Sequence, residues 1–562
     1  MQYIVKNKYI FLVAVLYIFF FVQMQLVYFY GDDFQVLYPI HGSKNFFDIL
    51  NFCINKMSWF WNNWSGRVFG HFTVSFGLSF WGIQFYRIVN PVMVFIVLFL
   101  SLKIFDLFRK IDIPKYLFFF SFIIIGLNIN ISRESLYWSY GGILYIWGFT
   151  LTLFVIYIVC KYYLKDKEIP LILQVTIFVS CILQTFILEQ LAFITISFLV
   201  LMIYFSFKNN KNCKYLIVLL LVTLSFFLIS TFSPGNANRT LPLKLELTGI
   251  SVPQIMLCKL HGFFTVLFNP DFYGIYVGLI LILLCRNYLK TSKNSFLSKL
   301  PVIFAYSYFI ILFLYKIFNF NILLFYGTDN FDIFELKDTN LIILILINVY
   351  YLLLVISSFV MLFMTVFRQN KFLFYSVVIT FVSSLIPIIC IRYIGIRYCL
   401  YFLISLILLG IYFTMNFKSG EYKLIDLIFV IISVAPKNIL VIAMLFLMFL
   451  YFINRKSSLY FIKGFILILI LFNLINIYYG YRYNSKIYVY NDIEMAQRYK
   501  INDVIMIKEI PYKYSKYSWH SKSLDFVNKH IYYGYLDQFY DEYYDIDISN
   551  IVIMINEEDI NH

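Results

Sequence analysis

Long apolar runs separated by short polar stretches set the plan of this chain. Runs at 9–30, 84–102, 115–131, 140–160, 170–188, 190–207, 214–232, 272–289, 301–325, 341–366, 372–391, 396–416, 424–453 and 459–480 are each long enough to read as membrane-crossing helices. The pattern predicts an all-α polytopic membrane protein of about 13–15 transmembrane helices over residues 1–480. After Tyr481 the pattern changes: acids outnumber Lys and Arg, and short alternating runs replace the long ones. There Asp503 to Lys508 reads as a strand and Ser521 to Tyr533 as a helix stopped by Gly534. Residues 481–562 are therefore expected to form a small α/β appendage outside the membrane.

Composition supports this class. Hydrophobic residues make up 62% of the 562 positions and charged residues only 13%, which excludes an ordinary soluble domain. The net charge of +15 does not point to nucleic acid, because the cations lie in short loops between apolar runs. Lys103/Arg109/Lys110/Lys115, Lys161/Lys165/Lys167, Lys208/Lys211/Lys214, Arg286/Lys290/Lys293/Lys299, Arg368/Lys371 and Lys418/Lys423 mark every second loop. That alternation is the positive-inside pattern and predicts a cytoplasmic N-terminus, with residues 67–82 lying along the membrane. The loops 31–83, 132–139 and 233–271 then face outward. Pro436 and Lys437 interrupt 424–453, which reads as two short spans in preference to one kinked helix. The eight Cys show no paired or metal-ligand spacing and read as small core residues.

The outward loops carry the chemistry. Asp32 and Asp33 follow the first span directly, and a tandem pair so placed reads as span-end solvation, a general base or a divalent-metal ligand. Downstream, Trp59-Phe60-Trp61-Asn62-Asn63-Trp64-Ser65-Gly66-Arg67 offers aromatic surface suited either to the membrane interface or to sugar rings. Arg67 and His71 share a helix face by their i,i+4 spacing and would present a cation and a proton carrier active near neutral pH. His41 and Lys44 belong to the same loop.

The second outward loop holds Arg133, Glu134 and Trp138, then Gly141-Gly142, which permit close backbone approach to a ligand or to another helix. Glu189 stands between two apolar runs as a second acid or an ion partner for Arg133 or Arg239. Ser233-Pro234-Gly235-Asn236-Ala237-Asn238-Arg239 reads as a donor-rich turn fit for phosphate or sugar hydroxyls, or as a plain surface turn. Lys259 and His261 are expected on a membrane-surface segment, and Arg392 and Arg397 flank an outward hairpin.

An aspartate pair after the first span, an outward W-S-G-R, a W-S-Y-G-G and a P-G-N-x-x-R together resemble a family of bacterial polytopic proteins of unknown function. That family looks related to the GT-C glycosyltransferases, including O-antigen glucosyltransferase-like proteins; the motif resemblance covers roughly residues 1–240. It implies a GT-C-like fold in the bacterial cytoplasmic membrane with its active-site loops outside. It also implies transfer of a sugar from a polyprenyl-phosphate-linked donor to a glycan or lipid acceptor of the cell envelope. Asp32 or Asp33 would then act on the acceptor or hold a metal ion, and Arg67, Arg133 and Arg239 would meet the donor phosphate. A divalent metal is the one cofactor expected, if any. The competing reading is a flippase or polymerase of lipid-linked surface polysaccharide.

Overall fold

The computed structural model describes residues 8–29, 32–39, 45–127, 129–239, 251–270, 272–291, 296–318, 330–332, 341–390, 393–416, 424–434, 478, 505–508 and 551–554. Among them the chain is overwhelmingly helical. Eight helices are long and apolar enough to cross a membrane, and five more are apolar but shorter. Their outward faces stay apolar, with Leu171, Ile172, Phe207 and Ile342 among the exposed side chains. A helix that keeps large apolar side chains on its outer face is solvated by lipid rather than by water. The protein is a polytopic helical membrane protein.

The chain divides into two compact units. The first contains α1 (Lys8–Met24), α2 (Asp32–Val36), α3 (Phe46–Asn63), α4 (Val68–Trp81), α5 (Ile83–Phe108) and α6 (Ile113–Ile125). The last residues of α5 belong to the second unit. A short α7 (Ile129–Ser132) runs into a π turn at Arg133–Tyr137. Four long helices follow: α8 (Ser139–Leu164), α9 (Leu171–Thr185), α10 (Glu189–Lys208) and α11 (Lys214–Thr231). Neighbours in this group pack on one another, α8 on α9 and α10, and α11 on both α9 and α10.

The first expected span is shorter than its apolar run. Helix α1 ends at Met24, and the chain is extended by Val27 because Arg87 Nε donates to the Val27 carbonyl at 2.8 Å. The loop 31–83 is no open loop. Helices α3 and α4 form a hairpin, with Asn45 capping α3 by accepting from the Phe47 N–H. Helix α4 has 14 residues, a rise of about 20 Å, which is short of the ~30 Å hydrocarbon core.

The second unit contains α12 (Val252–Phe268), α13 (Gly274–Thr291), α14 (Phe296–Phe318), α15 (Leu341–Leu362), α16 (Lys371–Cys390), α17 (Leu400–Asn416) and α18 (Leu424–Val434). Here the expectation for 252–268 is overturned. Lys259 and His261 do not ride on a membrane surface: both are buried, and α12 packs against α15, α13 and α16. Phe268 stacks on Tyr351 of α15 and Phe264 packs tilted against the same ring, which gives α12 an aromatic face to bury. Strand β1 (Asn330–Asp332) pairs antiparallel with β2 (Tyr393–Gly395), which lies inside the stretch 391–398 expected as a hairpin.

Helix α18 is tied at both ends. Asp426 in its first turn sits 3.6 Å from Arg286 of α13, and Lys316 of α14 donates to the Ile432 and Ser433 carbonyls at 2.6 and 3.1 Å. Acid at the start and base at the end both complement the helix dipole. Beyond it, β3 (Ile505–Lys508) pairs parallel with β4 (Ile551–Met554), and β3 falls within the expected strand. Pro436, Lys437, the 459–480 run apart from Tyr478, and the helix expected at Ser521 to Tyr533 lie outside the described residues.

Candidate functional site

The motifs of the three loops expected to face outward converge at one end of the first unit. Asp33 is the anchor. Its residue has no exposed surface, and Oδ1 accepts the Tyr140 backbone N–H at 2.9 Å. A carboxylate placed there answers one of the unpaired N–H groups in the first turn of α8. The α2 segment is itself strapped to α4: Ser75 Oγ donates to the Val36 carbonyl at 2.7 Å, and the Tyr38 N–H donates to Ser79 Oγ.

From Tyr140 the network runs on through side chains. The Tyr140 hydroxyl bonds to His71 Nδ1, and His71 Nε2 bonds to Ser65 Oγ at 2.9 Å. The imidazole lies flat on Phe60, ring centroids 3.8 Å apart. Trp138 stacks on the other side of the network, against Tyr140 at 5.5 Å. Burial, then the positive charges of Arg67 and Arg239, hold His71 well below its ordinary value of 6.5. The proton carrier expected near neutral pH is therefore a neutral imidazole that links two hydroxyls.

Arg67 does share the turn with His71, whose N–H bonds back to the Arg67 carbonyl at 3.0 Å. Its Nε pairs with Glu189 Oε2 at 2.8 Å, both side chains about 15% exposed. Glu189 thus finds Arg67, rather than Arg133 or Arg239 as its expected partner. It opens α10, where a carboxylate also meets the positive end of the helix dipole. Arg239 lies over the Trp64 ring at 4.7 Å.

The P-G-N-A-N-R stretch is a short helix rather than a turn. Residues 234–239 are helical and Gly235 is buried, where a Cβ would stand 2.6 Å from both the Phe60 carbonyl oxygen and the Ser65 nitrogen. Asn236 Nδ2 donates to the Ser230 and Thr231 carbonyls, and Asn238 Nδ2 to the Asn62 carbonyl. Asn236 therefore caps the end of α11. Gly66 presses on the Ser230 carbonyl, so W-S-G-R and P-G-N-x-x-R clamp each other.

Arg133 and Glu134 are buried on the π turn 133–137, and a second π turn follows at Ile143–Trp147. Two π turns flanking Ser139–Gly142 mark a locally underwound stretch of the kind found at functional sites. The paired glycines serve packing: Gly141 meets Trp138, and Gly142 meets the Tyr86 hydroxyl.

Sequence reading passed over Tyr86, Arg87 and Asn90 on α5. Tyr86 donates to the Leu136 carbonyl at 2.7 Å, and Asn90 donates to the same oxygen at 3.0 Å while accepting from Trp147 Nε1. Arg87 and Asn90, three residues apart in a span, were the available signal. The Asp32 side chain, His41, Lys44 and Arg392 lie outside the described residues. Among the described residues no three His, Cys, Asp or Glu side chains are arranged to hold a metal ion. Asp33 and His71 are instead committed to Tyr140 and Ser65. No family model matches the chain, and neither a curated protein nor a solved structure does.

Proposed function

We propose that the chain is a GT-C-like membrane glycosyltransferase. It would transfer a sugar from a polyprenyl-phosphate-linked donor to a cell-surface glycan or lipid acceptor on the outer side of the bacterial cytoplasmic membrane. One observation carries the reading: Asp33, Arg67, His71, Tyr140, Glu189 and Arg239, scattered over some two hundred positions, meet in one contiguous cluster. A cluster of buried Asp33, His71 and Tyr140 with half-buried arginines and Glu189 at the end of apolar spans is costly to keep. Its cost is reasonable where an anionic lipid phosphate and a hydroxylated acceptor must be held together.

The aspartates divide the work. Asp33 holds the first turn of α8 and through Tyr140 orders His71 and Ser65, so it positions the site. Asp32, its neighbour on α2, is the base that takes the proton of the acceptor hydroxyl as that oxygen attacks the anomeric carbon. The bond from that carbon to the donor phosphate breaks, and the lipid phosphate leaves with the electron pair, met by the arginines. No step is assigned to a metal ion.

A flippase or polymerase of lipid-linked polysaccharide is the alternative. Lys316, a buried cation in the last turn of α14, donates to the carbonyls at the end of α18 and so has a structural role. The test is mass spectrometry of lipid-linked sugars and surface glycan in cells carrying Asp32→Asn. The proposal expects the donor to accumulate and the glycosylated product to vanish. Unchanged product would overturn it; a donor trapped on the inner leaflet would favour the flippase.

A further inference from the structure

A second built pocket lies at the far ends of the same four helices. Helix α8 begins at the cluster and has 26 residues, a length of roughly 38 Å, so its C-terminus is a bilayer's thickness away. There the loops 165–170 and 209–213 and the start of α11 enclose a cavity of about 310 Å³. Tyr162, Tyr163, Lys167, Lys211, Asn212 and Tyr215 line it together with Asp166 and Glu168.

Its frame is ordered by matching helix ends. At α8, Asp166 takes φ 54° and the Lys167 N–H bonds to the Tyr162 carbonyl; at α10, Asn210 takes φ 53° and the Lys211 N–H bonds to the Ser206 carbonyl. Each is a left-handed cap that delivers a lysine just past the helix. Lys211 Nζ is then fixed by the Tyr163 carbonyl at 2.8 Å and Asp166 at 3.1 Å, which leaves the third of its donors. Tyr215 donates to the Gln174 carbonyl and Tyr163 to the Phe205 carbonyl, locking two of the aromatic walls.

Charge and surroundings name the occupant. Lys161, Lys165, Lys167, Lys208, Lys211 and Lys214 outweigh Asp166 and Glu168, and Asp166 is already paired. Directly below the rim, Leu171, Ile172 and Val175 of α9 and Val218 of α11 are exposed and apolar. A soluble phosphate compound has no use for such a surface, whereas a phospholipid needs a cationic seat for its headgroup and an apolar wall for its chains. We propose that this pocket binds the headgroup of an anionic glycerophospholipid in the leaflet opposite the cluster.

The experiment is native mass spectrometry of the full chain in detergent, titrated with phosphatidylglycerol and with phosphatidylcholine. Wild type should retain phosphatidylglycerol preferentially. Lys167→Gln should weaken it roughly five-fold and Lys167→Gln/Lys211→Gln roughly twenty-five-fold, with phosphatidylcholine unaffected. Lys167 is exposed, so its single variant keeps the test valid even if loss of Lys211 disturbs folding. Lys290→Gln, a cation of the other unit, should change nothing. Unchanged binding in the Lys167 variants overturns the proposal, as does an equal loss in Lys290→Gln. Displacement of the lipid by millimolar inorganic phosphate or glycerol phosphate would reassign the pocket to a soluble phosphate compound and overturn it equally.

Discussion

The two ends of the α8–α11 group use polar residues in opposite ways. At one end Asp33, His71, Ser65 and Gly235 are buried, and Asp33 and His71 both bond to Tyr140, 107 and 69 positions away. At the other end the lysines are largely exposed, and the pocket is shaped by part-buried bonds at the surface, Lys211 to Tyr163 and Tyr215 to Gln174. Buried polar groups lose water on folding and must recover it from partners, so they tolerate little change. Exposed cations keep their water and act through charge, so they tolerate much. The closed end should therefore fail steeply under substitution and the open end should fail gradually.

Asp32→Asn offers the steepest test. Losing a general base costs about 10²–10⁴-fold in rate, and Asn keeps the size while removing basicity. Asp33→Asn should stay within about tenfold of wild type, because an amide oxygen can still accept the Tyr140 N–H. Equal loss in both variants, at equal protein level in the membrane, would merge the roles that separate positioning from chemistry.

Glycine substitutions come next. A Cβ at Gly235 collides with main-chain atoms of Phe60 and Ser65, and one at Gly66 with the Ser230 carbonyl. Gly66→Ala and Gly235→Ala should each cost about 1–3 kcal/mol or more. Thermal unfolding in detergent reads this directly. Ala at Glu168, exposed on the open rim, should stay within about 0.5 kcal/mol; a larger loss there would erase the contrast between the ends.

How much of this was legible follows the same division. The spans show in the sequence because lipid-facing helices must be apolar over their whole length, and the shared side of the motifs shows in the alternation of cations. Individual partners do not show. Asp33 bonds to a main-chain N–H, which any residue but proline would supply at position 140, and Glu189 meets Arg67 across 122 positions. Helix α12 escaped notice because Lys259 and His261 break its apolar run although both are buried. The matching caps escaped because Asp166 and Asn210 stand where glycine is the usual signal.

His71 provides a gentler test through pH. Its folded value lies below the ordinary 6.5, so the unfolded chain binds its proton first as pH falls. Stability from this residue is fully present above about 6.5 and declines as pH drops toward the folded value, by at most about 1.4 kcal/mol per pH unit. Arg67 and Arg239 face the ring and deepen the effect. His71→Gln should lower stability at pH 7.5 yet flatten the slope between pH 6.5 and 5; a slope equal to wild type would assign the loss to other groups.

The smallest effect belongs to the open end. Asn210 occupies the left-handed position that ends α10, with its own N–H on the Phe207 carbonyl and the Lys211 N–H on Ser206. Asn pays less there than other side chains but more than Gly, which adopts that conformation without a Cβ penalty. Asn210→Gly should therefore raise the unfolding temperature slightly or leave it unchanged, within about 1 kcal/mol. Asn210→Val should lower it by more, since a β-branched residue resists positive φ. Lipid retention should survive the Gly variant, because the cap still delivers Lys211 to the pocket. If Asn210→Gly destabilises as strongly as Gly235→Ala, the open end is as tightly determined as the closed one, and the division between them does not hold.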